Sequence, residues 1–416
     1  MTLITTDTLF VGIDIGLEKN AAHFLAPNGD SLGRLTFAND LEGVGQLIDR
    51  LVQTCSQHNL SVLRIGMEAT GLYWWHVHQA LSDAPEFESY DLQVAVLNPK
   101  VVEGFKAVYT DIPKTDLKDA WVIADCLRFG RVHFHPPTDP RYAPLQRLTR
   151  LRYQIAHNLT REKNRALSLL FLRFSTLAQD APFSNVFGKA STAVFTEMTV
   201  EEIAQTPLEE LATRISRHSN NRLGGGNPEA VARELQAAAR RAFRLNPKMD
   251  SAVGVALAMS VATIRFLEDQ LKRLDKAIAQ ELKGIAQTLD TIPGVGAVYA
   301  AGLVAEIGDI HRFPDHDALA KYAGLTWRQH QSGGFAAEDI PLTRSGNFYL
   351  RYYLIEAANS VRVRDQEFAA FYERKRREAR HHHHKRALVL TARKLVRLVY
   401  ALLSEGQIYV PKRGIS

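Results

Sequence analysis

The chain has 416 residues, 46% of them hydrophobic, with a formal net charge of +6 and a pI of about 9.2. Two or three domains with sizeable cores fit that length, and the basic balance favours an anionic partner. Two cysteines, Cys55 and Cys126, exclude a disulfide framework and a thiolate zinc site and suit a reducing cytoplasm; no signal peptide or transmembrane run of some 18 uninterrupted apolar residues is read, so no membrane partner is expected.

Leu9 to Gly16 is a run of strand formers holding one carboxylate, Asp14. Aspartate is depleted in strands, so its presence there points to chemistry. Gly12 and Gly16 leave room for another backbone or a phosphate to come close. Predicted strands cover Val11–Ile15, Ala21–Ala26 and Leu32–Phe37, with an Asn-Gly hairpin signal in Pro27-Asn28-Gly29-Asp30. Leu41–Ser56 follows at helical spacing. The fourth strand, Val62–Met67, ends at Glu68. Next come a helix over Tyr73–Leu81, a fifth strand over Leu92–Leu97, a short helix over Lys100–Ala107 and a longer one over Asp116–Phe129. Thr115 is a fitting N-cap; Asp116 and Asp119, three apart, share a helix face and suit the dipole. Two strand acids and two helix acids converging would make an oxygen-only site for Mg²⁺, with Mn²⁺ as substitute. Asp111 and Asp125 are left out, one in a loop before Pro113 and the other outside the motif.

The order βββαβαβα is that of ribonuclease H-like domains, and the acids resemble the DEDD pattern of RuvC-like nucleases. The phrases Gly66-Met67-Glu68-Ala69-Thr70-Gly71 and Lys114-Thr115-Asp116-Leu117-Lys118-Asp119-Ala120 resemble the DEDD transposases of bacterial insertion sequences, a family of RNA-guided recombinases. The fold expected is therefore α/β plus α: a RuvC-like metal-binding domain over 1–143, a helical, coiled-coil middle over 144–286, and a mostly helical C-terminal domain over 287–416.

From Pro144 to Phe174 a helical seam of Leu148, Leu151, Ile155 and Leu159 runs beside Arg147, Arg150, Arg152, Arg161, Lys163, Arg165 and Arg173. This basic helix either contacts phosphate or presents the solvated face of a coiled coil. Residues 175–250 read as an insertion in which only a helix over Glu229–Phe243 is clear. Ile264, Leu267, Leu271, Leu274 and Ile278 form a second heptad seam, suited to the Leu148 helix or to another protomer. Ile292-Pro293-Gly294-Val295-Gly296 carries a helix-hairpin-helix signature, in which Gly294 and Gly296 would turn backbone amides to a phosphate.

Tyr322-Ala323-Gly324-Leu325-Thr326, Trp327 to Gly334 and Thr343 to Arg351 resemble the C-terminal domain of the same transposase family. The resemblance implies that Ser332 is the nucleophile, with Ser345 as runner-up, and that Arg328, Arg344 and Arg351 lie at nucleic acid. Arg374 to Arg377 and Arg380 to Arg386 form the densest positive stretch, with Arg376, Arg377, Lys385 and Arg386 as phosphate contacts. The histidines 381–384 within it read as native. Tyr352, Tyr353, Phe368, Phe371 and Tyr372 nearby suit either base stacking or a core.

The activity implied is cutting and rejoining of DNA strands by Ser332, assisted by a metal on Asp14, Glu68, Asp116 and Asp119. The resemblance further implies donor and target DNA, a guide RNA, and a homo-oligomer (dimer or tetramer) in which one domain's serine completes a partner's metal site. A RuvC-like junction-resolving or metal-dependent nuclease would use water instead of the serine. Gly12-Ile13-Asp14-Ile15-Gly16 also resembles the first phosphate loop of actin-like ATPases, whose second glycine-rich loop and adenosine motif are not found downstream. A non-catalytic scaffold is the remaining class, opposed by metal binding at the four acids.

Overall fold

The computed structural model describes residues 7–69, 71–109, 115–130, 139–180, 182–219, 227–327, 331–332, 335–336, 342–343 and 345–411. Its contacts divide the chain into two compact units, residues 1–139 and 140–416.

In the first unit, β1 (Thr8–Asp14), β2 (Lys19–Leu25) and β3 (Ser31–Ala38) form an antiparallel meander, and β4 (Val62–Glu68) and β5 (Asp91–Leu97) join parallel to β1, in the order β3-β2-β1-β4-β5. This is the mixed ribonuclease H-like sheet expected from the element order. The first strand runs three residues earlier than its sequence pattern, from Thr8, and stops at Asp14. Alternation splits the side chains between two cores. Leu9, Val11, Ile13, Leu63, Ile65 and Met67 pack with α1 (Leu41–His58) and α2 (Trp74–Ser82). Phe10, Leu25, Ala95 and Leu97 face α3 (Pro99–Lys106) and α4 (Asp116–Arg128) through Val102, Ile123, Ala124 and Leu127.

Two glycines set how closely α4 sits. A Cβ at Gly12 would lie 2.1 Å from the Ala120 carbonyl oxygen and 2.3 Å from the Ala124 nitrogen; one at Gly66 would meet the Leu127 side chain at 2.9 Å. Glycine at both positions lets a helix lie directly on the sheet.

The second unit is helical. α5 (Ala143–Arg173) is followed by α6 (Leu177–Asp180), α7 (Lys189–Glu197), α8 (Val200–Gln205), α9 (Leu208–Ser219) and α10 (Pro228–Arg241), and then by the 36-residue α11 (Pro247–Leu282). The insertion over 175–250 thus folds into short helices with their own core, including Phe183, Phe195, Ile203, Leu211, Ile215 and Leu235. α11 packs along α5 within the same chain. The pairs Arg152–Asp275, Lys163–Glu268 and Arg173–Asp250, at 2.6, 2.7 and 3.0 Å, run in opposite sequence directions along the two helices, so they are antiparallel. Of the heptad seam, Ile264, Leu274 and Ile278 are buried, while Leu267 and Leu271 are half-buried. Among the described residues, α11 is the one helix long and apolar enough to cross a membrane by length and composition.

α12 (Ala297–Ile307), α13 (His316–Tyr322), α14 (Phe348–Arg364), α15 (Gln366–Glu378) and α16 (His383–Glu405) share a core with Leu145, Leu274 and Ile278. Tyr353 is fully buried, stacked where Gly302 lacks a side chain, and its hydroxyl donates to the Thr149 carbonyl at 2.7 Å. Phe368 and Tyr372 are likewise buried, so these three aromatics belong to the core. A single 3₁₀ turn, Leu289–Thr291, precedes the Pro293–Gly296 turn. Gly294 has φ +99°, and a Cβ there would meet the Ser360 backbone at 2.9 Å.

Candidate catalytic carboxylate site

In the β1–β4 register the last pair is Ile13 with Met67, and the next residue on each strand is an acid, Asp14 and Glu68. Adjacent strands lie about 4.8 Å apart, so these two side chains emerge side by side. They share the face of Gly12 and Gly66, two residues earlier on each strand, and that face carries α4. The N-cap Thr115 accepts from the Lys118 amide at 3.4 Å and starts α4 with Asp116 and Asp119 in its first turn.

The electrostatics report the convergence. Burial, and after it the charges of Asp119, Asp116 and Glu68, push the Asp14 carboxyl up to about 6. Glu68 is raised for the same reasons, burial first and Asp119 next. Lys106 opposes both shifts and forms an ion pair with Asp119. The residues sequence reasoning missed are Lys106 and Glu103, the latter a further acid whose charge raises Glu68. Both lie on α3, which follows β5 at the same sheet end, capped by Asn98 accepting from the Lys100 amide at 3.0 Å. Their i, i+3 spacing puts them on one face of α3, but nothing local in the sequence marks that face.

Among the described residues, no three histidine, cysteine, aspartate or glutamate side chains are placed closely enough to hold an ion. The donor chemistry nonetheless suits a hard divalent cation: the donors are carboxylate oxygens, and their mutual repulsion is partly relieved by the Lys106 ammonium paired with Asp119. Asp125, outside the sequence motif, is buried and accepts from Arg128 Nε at 2.7 Å and from the Tyr109 hydroxyl. Asp111 lies outside the described residues, as do Lys114, Arg328 and Arg344.

Ser332 belongs to the two-residue strand β6 (Gln331–Ser332), paired with Phe335 of β7 (Phe335–Ala336); its side chain lies outside what is described. Ser345 is exposed. Asn347 caps α14, accepting from the Leu350 amide at 3.0 Å and donating to Glu306 at 2.8 Å.

Several basic residues of α5 are engaged inside their own unit. Arg150 donates from Nε and Nη2 to the two oxygens of Glu306 at 2.7 and 2.8 Å, and Glu306 is 2% exposed. Lys163 pairs with Glu268, and Arg161 donates to Asn158. Arg147 is half-buried beside this cluster; burial and the Arg150 charge disfavour its charged form. Arg351 donates to the Ala323 carbonyl at 3.0 Å. Gly294 and Gly296 line a cleft of about 860 Å³ together with Lys276, Tyr299, Ser360 and Arg364. Arg376 pairs with Glu373 at 3.0 Å, and Arg377 donates to the Glu373 carbonyl at 3.4 Å. Lys385 and Arg386 are exposed; Arg386 lines a cleft of about 560 Å³ with Lys375, Arg380 and His381. His384 Nδ1 lies 2.7 Å from the Tyr372 hydroxyl, and His383 Nδ1 lies 3.0 Å from the Arg376 carbonyl, so these two histidines join α15 to α16.

Residues 11–174 match a transposase family model of the DEDD IS110 type, and residues 286–373 match the model of the IS116/IS110/IS902 transposase family. The insertion element IS116 44.8 kDa protein of Streptomyces clavuligerus is 25% identical, over 97% of each chain. The pilin gene-inverting protein of Moraxella bovis is 24% identical over 96% of each. The transposase for IS1111A of Coxiella burnetii is 31% identical over 38% of this chain and 46% of its own. A structure of T. thermophilus RuvC with a Holliday junction substrate aligns over 30% of this chain and 95% of that one, with 17% identity and a TM-score of 0.23.

Proposed function

The chain belongs to the IS110/IS116 family of insertion-sequence transposases, and from that premise we propose that it cuts and rejoins DNA strands through a covalent serine link assisted by a carboxylate-held metal. The observation that carries this reading is the gathering of Asp14, Glu68, Asp116 and Asp119 at one end of the sheet, with Asp14 pushed up to about 6 by burial and by its neighbours. Those four residues would hold Mg²⁺ or Mn²⁺. Such an ion, when bound, polarises a scissile phosphate and favours an attacking hydroxyl as its alkoxide.

Ser332 supplies the hydroxyl. Its Oγ forms a bond to phosphorus, the bond from phosphorus to one sugar oxygen breaks, and that oxygen leaves with a proton. The reverse reaction with a different strand's hydroxyl rejoins DNA and frees the serine. Phosphodiester energy is conserved, so no nucleotide hydrolysis is needed. Gly294, Gly296, Arg328, Arg344, Arg351, Arg376, Arg377, Lys385 and Arg386 are assigned to nucleic acid, with Lys114, Arg147 and Arg161 of the N-terminal and helical segments; Arg150 and Lys163 are engaged instead by Glu306 and Glu268. A guide RNA would choose the sequence by base pairing, leaving the protein to recognise shape and backbone. The active form is a homo-oligomer.

The test is a denaturing gel of labelled substrate DNA with Mg²⁺ and the RNA transcribed from the flanking element. A protein-bonded band present in wild type and Ser345→Ala but absent from Ser332→Ala supports the reading. Loss in Ser345→Ala alone moves the nucleophile. Cleavage without any bonded band replaces the serine reaction by water attack, the nuclease alternative.

A further inference from the structure

The segment that carries Ser332 leaves the helical core after α13 and returns into α14. Its two arms meet at their base: Trp327 bridges to Leu342, and the Thr343 amide donates to the Thr326 carbonyl at 2.8 Å. Below that base the returning arm is fastened to the end of α13. Gly346 has φ +129°, and a Cβ there would lie 2.4 Å from the Tyr322 carbonyl oxygen, so glycine is what lets the arm come this close. Asn347, the next residue, engages every polar atom it has. Its amide donates to the Tyr322 carbonyl at 2.6 Å, and its carbonyl accepts from the Arg351 amide at 3.2 Å. Its side-chain oxygen accepts from the Leu350 amide at 3.0 Å, and its side-chain nitrogen donates to Glu306 Oε2 at 2.8 Å and to the Tyr322 hydroxyl at 3.2 Å.

We propose that Glu306 is a positioning residue for strand transfer: through Asn347 it fixes the returning arm, and with it Ser332, to α5. This rests on the reading of Ser332 as the nucleophile. Glu306 is the one charged residue of α12, and its side chain is fully buried. A buried carboxylate is costly unless it is paired and hydrogen-bonded, and packing alone would be served by another apolar residue. A neutral glutamine would suffice to accept from Asn347, so the charge is explained by what else it holds. Arg150 of α5 forks onto both oxygens at 2.7 and 2.8 Å, and its guanidinium covers the Tyr349 ring of α14 at 4.8 Å. Gln146, one turn earlier on α5, reaches Glu306 at 3.4 Å. One acid thus joins α5, α12 and α14 at the point where the serine-bearing segment enters α14. A bidentate fork fixes direction as well as distance. A nucleophile that must approach phosphorus in line needs such a root, because a displacement of about 1 Å can slow a reaction about 100-fold.

The test exchanges donor and acceptor. Asn347→Asp keeps the oxygen that caps α14 but sets a second carboxylate against Glu306. Glu306→Gln combined with Asn347→Asp restores the hydrogen bond in the opposite sense and leaves the charge of the cluster unchanged. The full chain is followed with Mg²⁺ and the RNA transcribed from the flanking element, by the rate of protein–DNA bond formation at saturating DNA, by DNA affinity, and by amide exchange at Thr343 and Asn347. Asn347→Asp should slow bond formation about 100-fold with DNA affinity unchanged, and should speed exchange of the two amides about tenfold, as for one charged hydrogen bond lost. The double variant should recover both to within about tenfold of wild type. Bonding at the wild-type rate in Asn347→Asp, a slower rate without faster exchange, a slower rate explained by weaker DNA binding, or a double variant no faster than Asn347→Asp overturns the proposal. Should Asn347→Asp alone not fold, the double variant carries the test, and its failure to fold or to react overturns the proposal. If wild type itself forms no protein-bonded DNA, the serine reading fails, and amide exchange alone decides whether Glu306 anchors the arm.

Discussion

Replacing Asp14 by asparagine removes one charge from a site with too many of one sign and leaves its shape. In the metal-free protein the Asp14 carboxyl stands at about 6 against an ordinary 3.8, a difference worth about 3 kcal/mol at about 1.36 kcal/mol per tenfold change in affinity for the proton. The folded state holds this proton more tightly than the unfolded state. Stability from the group is therefore complete below pH 3.8 and is lost as pH rises through about 6. Asp14→Asn escapes that loss. Its gain over wild type should be largest at pH 7.5, on the order of 3 kcal/mol at most once solvent screening of this partly exposed group is allowed for, and should shrink as pH falls towards 4. For a unit of this size the largest gain is a rise in melting temperature of several degrees, up to about 10 °C. Tryptophan fluorescence is a suitable probe, because Trp74, Trp75 and Trp121 lie in the first unit and Trp327 alone lies in the second. The melts are run in chelator across that pH range, then with Mn²⁺, which should raise the wild-type midpoint more than that of the variant. A variant that melts at or below wild type at pH 7.5 in chelator would refute the reasoning, since Lys106 would then be neutralising Asp14 fully.

Gly12→Ala would drive a methyl group into the α4 backbone, 2.1 Å from the Ala120 carbonyl oxygen; a loss of about 3 kcal/mol or more is expected in urea melts. Gly45→Ala, with nothing within 4 Å of its Cβ inside α1, should instead gain roughly 0.5–1 kcal/mol, and equal effects would refute the notch. Glu306→Ala leaves Arg150 and Asn347 facing an empty buried position and should cost about 3–5 kcal/mol. Glu306→Gln, which keeps an acceptor, should cost less; the two denaturation midpoints decide. Charge reversal at Arg376 and Arg377 should weaken DNA binding and reduce the slope of log affinity against log salt by nearly one for each phosphate no longer neutralised. An unchanged slope would return both arginines to their helix-surface pairs.

The N-terminal sheet was legible because each strand there is a short apolar run bounded by a turn or an acid, and register follows once β1 and β4 are set side by side. Asp14 stood out through its misfit with a strand. Lys106 and Glu103 did not, because a lysine and a glutamate on a short helix carry no local oddity; only the tertiary approach of α3 to α4 gives them a role. The insertion holds local signals that a search for long apolar seams overlooks. Thr199 and Glu202 form a capping box at α8, and Leu208, Leu211 and Ile215 stripe α9. The basic α5 read equally as a phosphate-binding helix and as a coiled-coil face, since the sequence displays its cations without showing that Glu306, Asp275, Glu268 and Asp250, all 77 or more residues away, pair with Arg150, Arg152, Lys163 and Arg173. Tyr353 read equally as a stacking ring, and only Gly302 on a neighbouring helix explains why it is core.

The Arg173–Asp250 pair has a topological consequence. It closes where the chain leaves α5 and where it returns into α11, and the Phe243 amide donating to Ser175 Oγ at 3.1 Å narrows the same neck. The helices between are a side branch hung from one point on a hairpin, and chain length can change there without moving either arm. A version of the chain in which a short glycine turn replaces the branch would keep α5 and α11 in register. It would need Leu170, Leu257, Val261 and Ile264 made polar, because the branch is what keeps them dry.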